Sequence, residues 1–139
     1  MAITPYLLYE DCESALDFLA RAFGFEEQLR SIAPDGTRVW HAEMRLGDGA
    51  IMMGDPGDHY RNPKRLGQET VGIYVEVDDV DAHFERARSA GAEILEEPAD
   101  KEYGHRRYTA RDPEGHHWFF AQVVEQVAPE AWGAQPAER

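Results

Sequence analysis

The chain has 139 residues, with 14 Lys plus Arg against 27 Asp plus Glu, a formal net charge of −13, and 42% hydrophobic residues. That is one domain's length, with enough apolar material for a single core and too much for wholesale disorder. The acidic balance, with no basic cluster longer than Arg106-Arg107, excludes a phosphate-tracking surface, so neither nucleic acid nor an anionic membrane is an expected partner.

No apolar run approaches the ~20 residues of a bilayer span. Met1 to Leu8 carries no basic region and no small-residue cleavage site, so the expected setting is cytoplasmic. The single cysteine, Cys12, forms no internal disulfide and fits a reducing compartment. It stands at the start of a predicted helix and reads as a small buried residue rather than a nucleophile.

In chain order one unit occurs twice. Ile3 to Tyr9 is apolar and β-rich, and Asp11 then offers an N-cap oxygen to a helix with Ala15, Leu16, Leu19, Ala22 and Phe23 on one face, closed by Gly24. Strands are predicted over 25–32, 37–46 and 50–54, joined by turns at Pro34-Asp35-Gly36 and Gly47-Asp48-Gly49. Residues 55–69 carry Pro56, Gly57, Asn62, Pro63 and Gly67 without a period and read as a linker. The pattern restarts with a strand at 71–77, and Asp78 or Asp79 caps a helix bearing Val80, Phe84, Ala87 and Ala90, closed by Gly91. Strands follow at 92–96, 106–111 and 116–123, the last two joined by the turn Asp112-Pro113-Glu114-Gly115.

Asp11 to Gly24 and Asp78 to Gly91 both span 13 residues, which points to a duplicated βαβββ module and an α+β fold class. The expected organisation is one domain over 1–124, with module 1 at about 3–54, a linker at 55–69 and module 2 at about 70–124. A tail over 125–139 follows, whose Trp132 is expected to dock on the body or on a partner subunit.

The strings Thr4-Pro5-Tyr6-Leu7-Leu8-Tyr9-Glu10-Asp11, Ala15-Leu16-Asp17-Phe18 through Ala22-Phe23-Gly24-Phe25, and Asp112-Pro113-Glu114-Gly115-His116-His117-Trp118 resemble the glyoxalase/bleomycin-resistance/dioxygenase family, the vicinal oxygen chelate superfamily. His41 to Asp48 and Val127 to Glu130 look like its PhnB-like branch. The resemblance implies two modules whose curled mixed sheets surround a cavity. In metal-dependent members it also implies a divalent ion held by a His or Gln, a Glu, a His and a Glu. Laid over this chain, those places fall at Thr4, about Met53, Gly72 and Phe119. None is an ordinary ligand for Zn, Ni or Fe, and a one-residue shift to Pro5, Met52, Ile73 and Trp118 or Phe120 changes nothing. No metal and no cofactor are expected.

If the ligand-equivalent places point inward, strand alternation puts Tyr6, Met53, Tyr74 and Phe119 on the cavity face, an apolar and stackable surface, with core packing as the alternative for each. Val39, His41, Glu43 and Arg45 are placed inward in their strand. One reading has His41, Glu43 and His117 converge as a non-standard metal or acid-base site, and the other leaves them as rim and solvent-facing groups. Arg107, with Tyr103, Arg106 and Tyr108, lies on or near the segment 98–105, which is expected to act as a lid, and an arginine there suits an anionic ligand group. His116 is expected to buttress the turn before it, and His83 to lie mid-surface on its helix.

The expected function is metal-independent binding or sequestering of an aromatic or amphipathic small molecule. The alternative is a lyase or isomerase working through His41, Glu43 or Tyr74. A homodimer is implied by the resemblance.

Overall fold

The computed structural model describes residues 1–138. Strand β1 is short, Tyr6–Leu8, because Pro5 precedes it and Asp11 ends it by capping the next helix: the Asp11 carboxylate accepts from the Ser14 amide at 3.0 Å and the Ser14 hydroxyl at 2.7 Å. Helix α1, Cys12–Phe18, widens into a π-helical turn at Leu19–Phe23, and Gly24 closes it in the left-handed conformation. Leu19, Ala22 and Phe23 are fully buried there. Strands β2, Glu26–Ile32, β3, Val39–Leu46, and β4, Gly49–Gly54, complete the N-terminal sheet in the order β1-β4-β3-β2, with β1 and β4 parallel.

The second module repeats this layout. Strand β5 is Gly72–Glu76, Asp79 rather than Asp78 caps helix α3, Val80–Ser89, and the C-terminal sheet runs β5-β8-β7-β6, with β6 at Glu93–Asp100, β7 at His105–Arg111 and β8 at His117–Val123. Half of the expected lid is strand: β6 runs on through Asp100, with Pro98 in a stretch of irregular pairing, and a tight turn over 101–104 leads into β7. Between the sheets, Asn62 caps one turn of helix, α2, Pro63–Leu66. Trp132, in a 3-10 turn, packs edge-on to Tyr103 at 5.7 Å between ring centres. No helix among the described residues is long and apolar enough to cross a membrane.

One core joins the modules. The helix-facing sides of both sheets contribute Leu7, Ala42, Met44, Ile51, Met53, Tyr108, Trp118 and Phe120 to a single buried cluster. Phe23 ties it together, with its ring centre 4.6 Å from Phe120 and 5.5 Å from Trp118. Arg86 of α3 donates to the Arg21 and Ala20 carbonyls at 2.8 and 2.9 Å, satisfying groups that the end of the first helix leaves free.

His83 is not a surface residue. Its Nε2 bonds the Phe23 carbonyl at 2.8 Å, so that nitrogen carries the proton, and its Nδ1 accepts from the Tyr108 hydroxyl at 2.6 Å. Burial lowers its pKa, and the Arg86 charge adds to the shift. A lowered folded pKa means that stability is full above the ordinary His value of ~6.5 and declines as pH falls from there through the folded value. Melting temperatures between neutral and mildly acidic pH are expected to fall less steeply in His83→Gln than in wild type; equal slopes would exclude His83 as the cause.

The turn before β8 clamps the modules to each other. The buried Asp112 carboxylate accepts from the Tyr9 hydroxyl at 2.7 Å, the Trp118 indole at 3.2 Å and the Glu114 and His116 amides at 3.1 Å each. Glu114 accepts from the Glu10 and Asp11 amides and the Asn62 side chain, and His116 Nε2 donates to the Leu8 carbonyl at 2.7 Å. His116 thus buttresses the turn and also fastens it to β1.

Candidate functional site

Opposite the core, each sheet turns a second face outward, and within one chain neither face covers the other: Tyr6 is 50% exposed, Leu8 37% and Tyr74 44%. The sheets therefore do not close around a cavity within the chain. A concavity of about 640 Å3 lies beside α2 and is lined by Lys64, Gln68, Glu69, Glu93 and Arg111 among others.

On the N-terminal sheet, Tyr6 of β1, Met52 of β4 and Glu43 of β3 are register neighbours. His41 and Glu43 lie on this open face, the side of β3 expected to face the cavity, with the His41 Nε2 2.9 Å from a Glu43 carboxylate oxygen and its Nδ1 2.7 Å from the Tyr6 hydroxyl. A carboxylate only accepts, so Nε2 carries the proton and Tyr6 donates to Nδ1, giving a Glu43–His41–Tyr6 chain. Burial, then the Cys12 and Glu43 charges, hold the Tyr6 phenol above its ordinary value, so it stays protonated. Tyr6 lies across Gly54, where a Cβ would stand 2.7 Å from the hydroxyl oxygen. Val39 does not share that face as expected, because an extra residue in β3 opposite Ser31–Ile32 breaks the alternation and buries it in the core.

On the C-terminal sheet the outward face carries Tyr74, Phe119, His117 and Arg107. Phe119 packs its ring edge against Gly72, where a Cβ would come 2.5 Å from the ring. Tyr74 stacks beside it at 5.8 Å and 23°. The Tyr74 hydroxyl also meets His105 Nδ1 at 2.6 Å. Burial first, and the Tyr103 hydroxyl next, raise the Tyr74 pKa. His117 stacks on Phe119 at 4.5 Å, and its Nδ1 bonds Glu69 at 2.9 Å.

Several expectations are corrected. Met53 is fully buried in the core, because the β1–β4 register pairs it with Leu7 and leaves Met52 on the open face. His117 does not join His41 and Glu43 within the chain; it belongs to the other sheet, with Glu69. Tyr108 is a core residue, and Arg106 is paired with Asp81 and Asp100. Arg107 does reach the open face, its guanidinium 5.1 Å from the Phe119 centre. Cys12 is 2% exposed, and burial with nearby carboxylates pushes its thiol up to about 12, which makes it a poor nucleophile. Glu69 and His105 were missed, since their partners are 48 and 31 residues away.

The donor set does not suit the divalent metal of the metal-dependent members. The places the resemblance assigns to ligands hold Thr4, Gly72, Phe119 and, with Met53 buried in the core, Met52 on the open face, and the Phe119 ring fills the space above Gly72 where a longer side chain would reach. Among the described residues no group of three or more His, Cys, Asp or Glu is arranged to hold a metal ion.

The Glyoxalase/Bleomycin resistance protein/Dioxygenase superfamily profile matches residues 3–120. The chain is similar to an uncharacterized protein of Mycobacterium bovis, 37% identical over 131 residues, covering 91% of this chain and 86% of that protein. Among solved structures it is similar to TioX from Micromonospora sp. ML1, with 35% identity, coverage of 92% and 100%, and a TM-score of 0.71. The fold is also shared with the fosfomycin resistance protein FosX of Mesorhizobium loti, at 17% identity, 88% and 91% coverage and a TM-score of 0.64. The family profile covers most of the chain and agrees with the duplicated module: this chain belongs to the glyoxalase/bleomycin resistance protein/dioxygenase superfamily.

Proposed function

We propose that the protein binds or sequesters an aromatic or amphipathic small molecule without a metal. The observation that carries this reading is Phe119 filling the space above Gly72, an aromatic surface where the metal-dependent members hold donors. A homodimer completes the site: the open face of the N-terminal sheet in one copy meets that of the C-terminal sheet in a second, giving two cavities. Uncovered Tyr6, Leu8, Leu29, Tyr74, Leu95 and Val123 are the apolar surface such a pairing would bury. The buried single thiol supports a reducing, cytoplasmic setting.

The test is calorimetry and thermal shift with planar aromatic ligands in the presence of a chelator, beside light scattering. The expected results are binding that survives chelation, a shift of several degrees at saturating ligand, and a mass of twice 15.8 kDa. Binding that appears only on adding a transition metal would overturn the metal-free reading, and a monomer would overturn the shared cavity.

A second reading is a lyase or isomerase with an acid-base site, favoured by the Glu43–His41–Tyr6 chain. Tyr6→Phe is then expected to lower turnover of any substrate found by roughly a hundredfold while binding is kept. Unchanged turnover would remove this reading.

A further inference from the structure

Strict alternation along β3 would turn Trp40 toward the core with Ala42 and Met44, yet it is 41% exposed. The cause is the bulge that buries Val39. Strand β2 pairs Ser31 with His41 and Ile32 with Val39, so Trp40 is the unpaired extra residue and swings to the side of its neighbour His41. Its indole nitrogen donates to the Ser31 hydroxyl at 3.1 Å, and Ser31 stands opposite His41 on the open face. That bond fixes the indole. Among the described residues, the guanidiniums seated over rings are Arg88 on Phe84 and Arg107 on Phe119, which leaves Trp40 uncovered. Three residues on, Glu43 shares the face. One of its oxygens accepts from His41 Nε2 at 2.9 Å, and His41 Nδ1 is taken by Tyr6. The other Glu43 oxygen has no partner among the described residues and stays within reach of a ligand, because the side chain is 34% exposed. Arg38 lies 3.7 Å from Asp55, and Arg45 donates to the Gly47 carbonyl at 3.4 Å, so Glu43 is the charge that lies between them on this strand.

We infer that Trp40 and Glu43 form one site for a planar aromatic amine in its protonated form, with the ring stacked on Trp40 and the ammonium donating to the free Glu43 oxygen. This rests on the small-molecule reading above and names its ligand class. At about 3.3 Å per residue the two side chains stand roughly 10 Å apart along β3, less the shortening of the bulge. A fused bicyclic ring with an aminomethyl arm covers that span. Indole is the side-chain ring that attracts a cation best, and a hydrogen bond from an ammonium to a carboxylate is stronger than a neutral one. The net charge of −13 draws a cationic ligand toward the protein, and a ligand carboxylate would meet the Glu43 charge instead.

The probes are aminomethylnaphthalene, hydroxymethylnaphthalene and naphthoic acid, each titrated into the full-length protein at neutral pH by calorimetry, with tryptophan fluorescence recorded alongside. The amine is expected to bind about five- to tenfold tighter than the alcohol, and the acid to bind weakest. Glu43→Gln keeps an acceptor for His41 and should bring amine and alcohol to near equality. Trp40→Ala should weaken amine and alcohol alike, by about tenfold. Both side chains are partly exposed, so both variants are expected to fold, and the comparison of probes on the wild-type protein needs neither. Equal wild-type affinity for amine and alcohol, or an amine affinity unchanged in Trp40→Ala, overturns the proposal and leaves the binding reading standing. Failure of all three probes also overturns it, and the small-molecule reading falls with it only if the broader aromatic panel is not bound either.

Discussion

Asp112→Asn is expected to cost about 3 kcal/mol of folding stability, although it changes no shape. The carboxylate accepts four hydrogen bonds, two on each oxygen, and all four donors belong to buried or half-buried groups of both modules. An amide keeps one acceptor oxygen and turns an NH2 toward two donors, so whichever way it is placed, a pair of donors loses its partner. Either the Tyr9 hydroxyl and Trp118 indole are left unpaired, or the turn amides of Glu114 and His116 are. Denaturant unfolding measures this directly. A loss below about 1 kcal/mol would mean that the clamp is not what holds the modules in register.

The neighbouring residues Phe119 and Phe120 should separate binding from stability, because they lie on opposite faces of β8. Phe120 is fully buried against Phe23, Tyr108 and Trp118. Phe120→Ala should cost about 3–5 kcal/mol. Phe119 is only partly buried and forms the floor of the proposed ligand site. Phe119→Ala should cost clearly less stability, yet weaken a stacked aromatic ligand by roughly thirtyfold, the effect of losing about 2 kcal/mol at an aromatic contact. If Phe119→Ala destabilises the fold as much as Phe120→Ala and ligand affinity is unchanged, the outward face is structural and the binding account is wrong.

The sequence carried the architecture because its signals are local. Asp11 and Asp79 cap helices through amides three residues on, glycines close both first helices, and Val80, Phe84 and Ala87 fall on one stripe at helical spacing. Even α2, read as loop, had a local signature in Asn62-Pro63 and Gly67. What was illegible depended on register or on distant partners. Met52 and Met53 exchange faces by one residue, and only the pairing of β4 with β1 decides between them. His83 reads as a flank position until the Phe23 carbonyl, 60 residues earlier, is brought to its Nε2. Glu69 carries no sign of its bond to His117, since nothing in the linker has a period. The candidate site was therefore half visible: Tyr6, His41, Glu43, Tyr74 and Phe119 share open faces as alternation implies, and Arg107, named for its place near the 98–105 segment, joins them, while the partner of His117 and the true β4 position were not.

The most direct test of metal-independent binding is elemental analysis of untagged protein, before and after incubation with Ni, Zn, Mn and Fe(II), with aromatic-ligand affinity measured on the same samples. The account predicts far less than one transition metal per chain and an affinity that no metal changes. About one tightly held metal per chain, with binding lost on its removal, would contradict it.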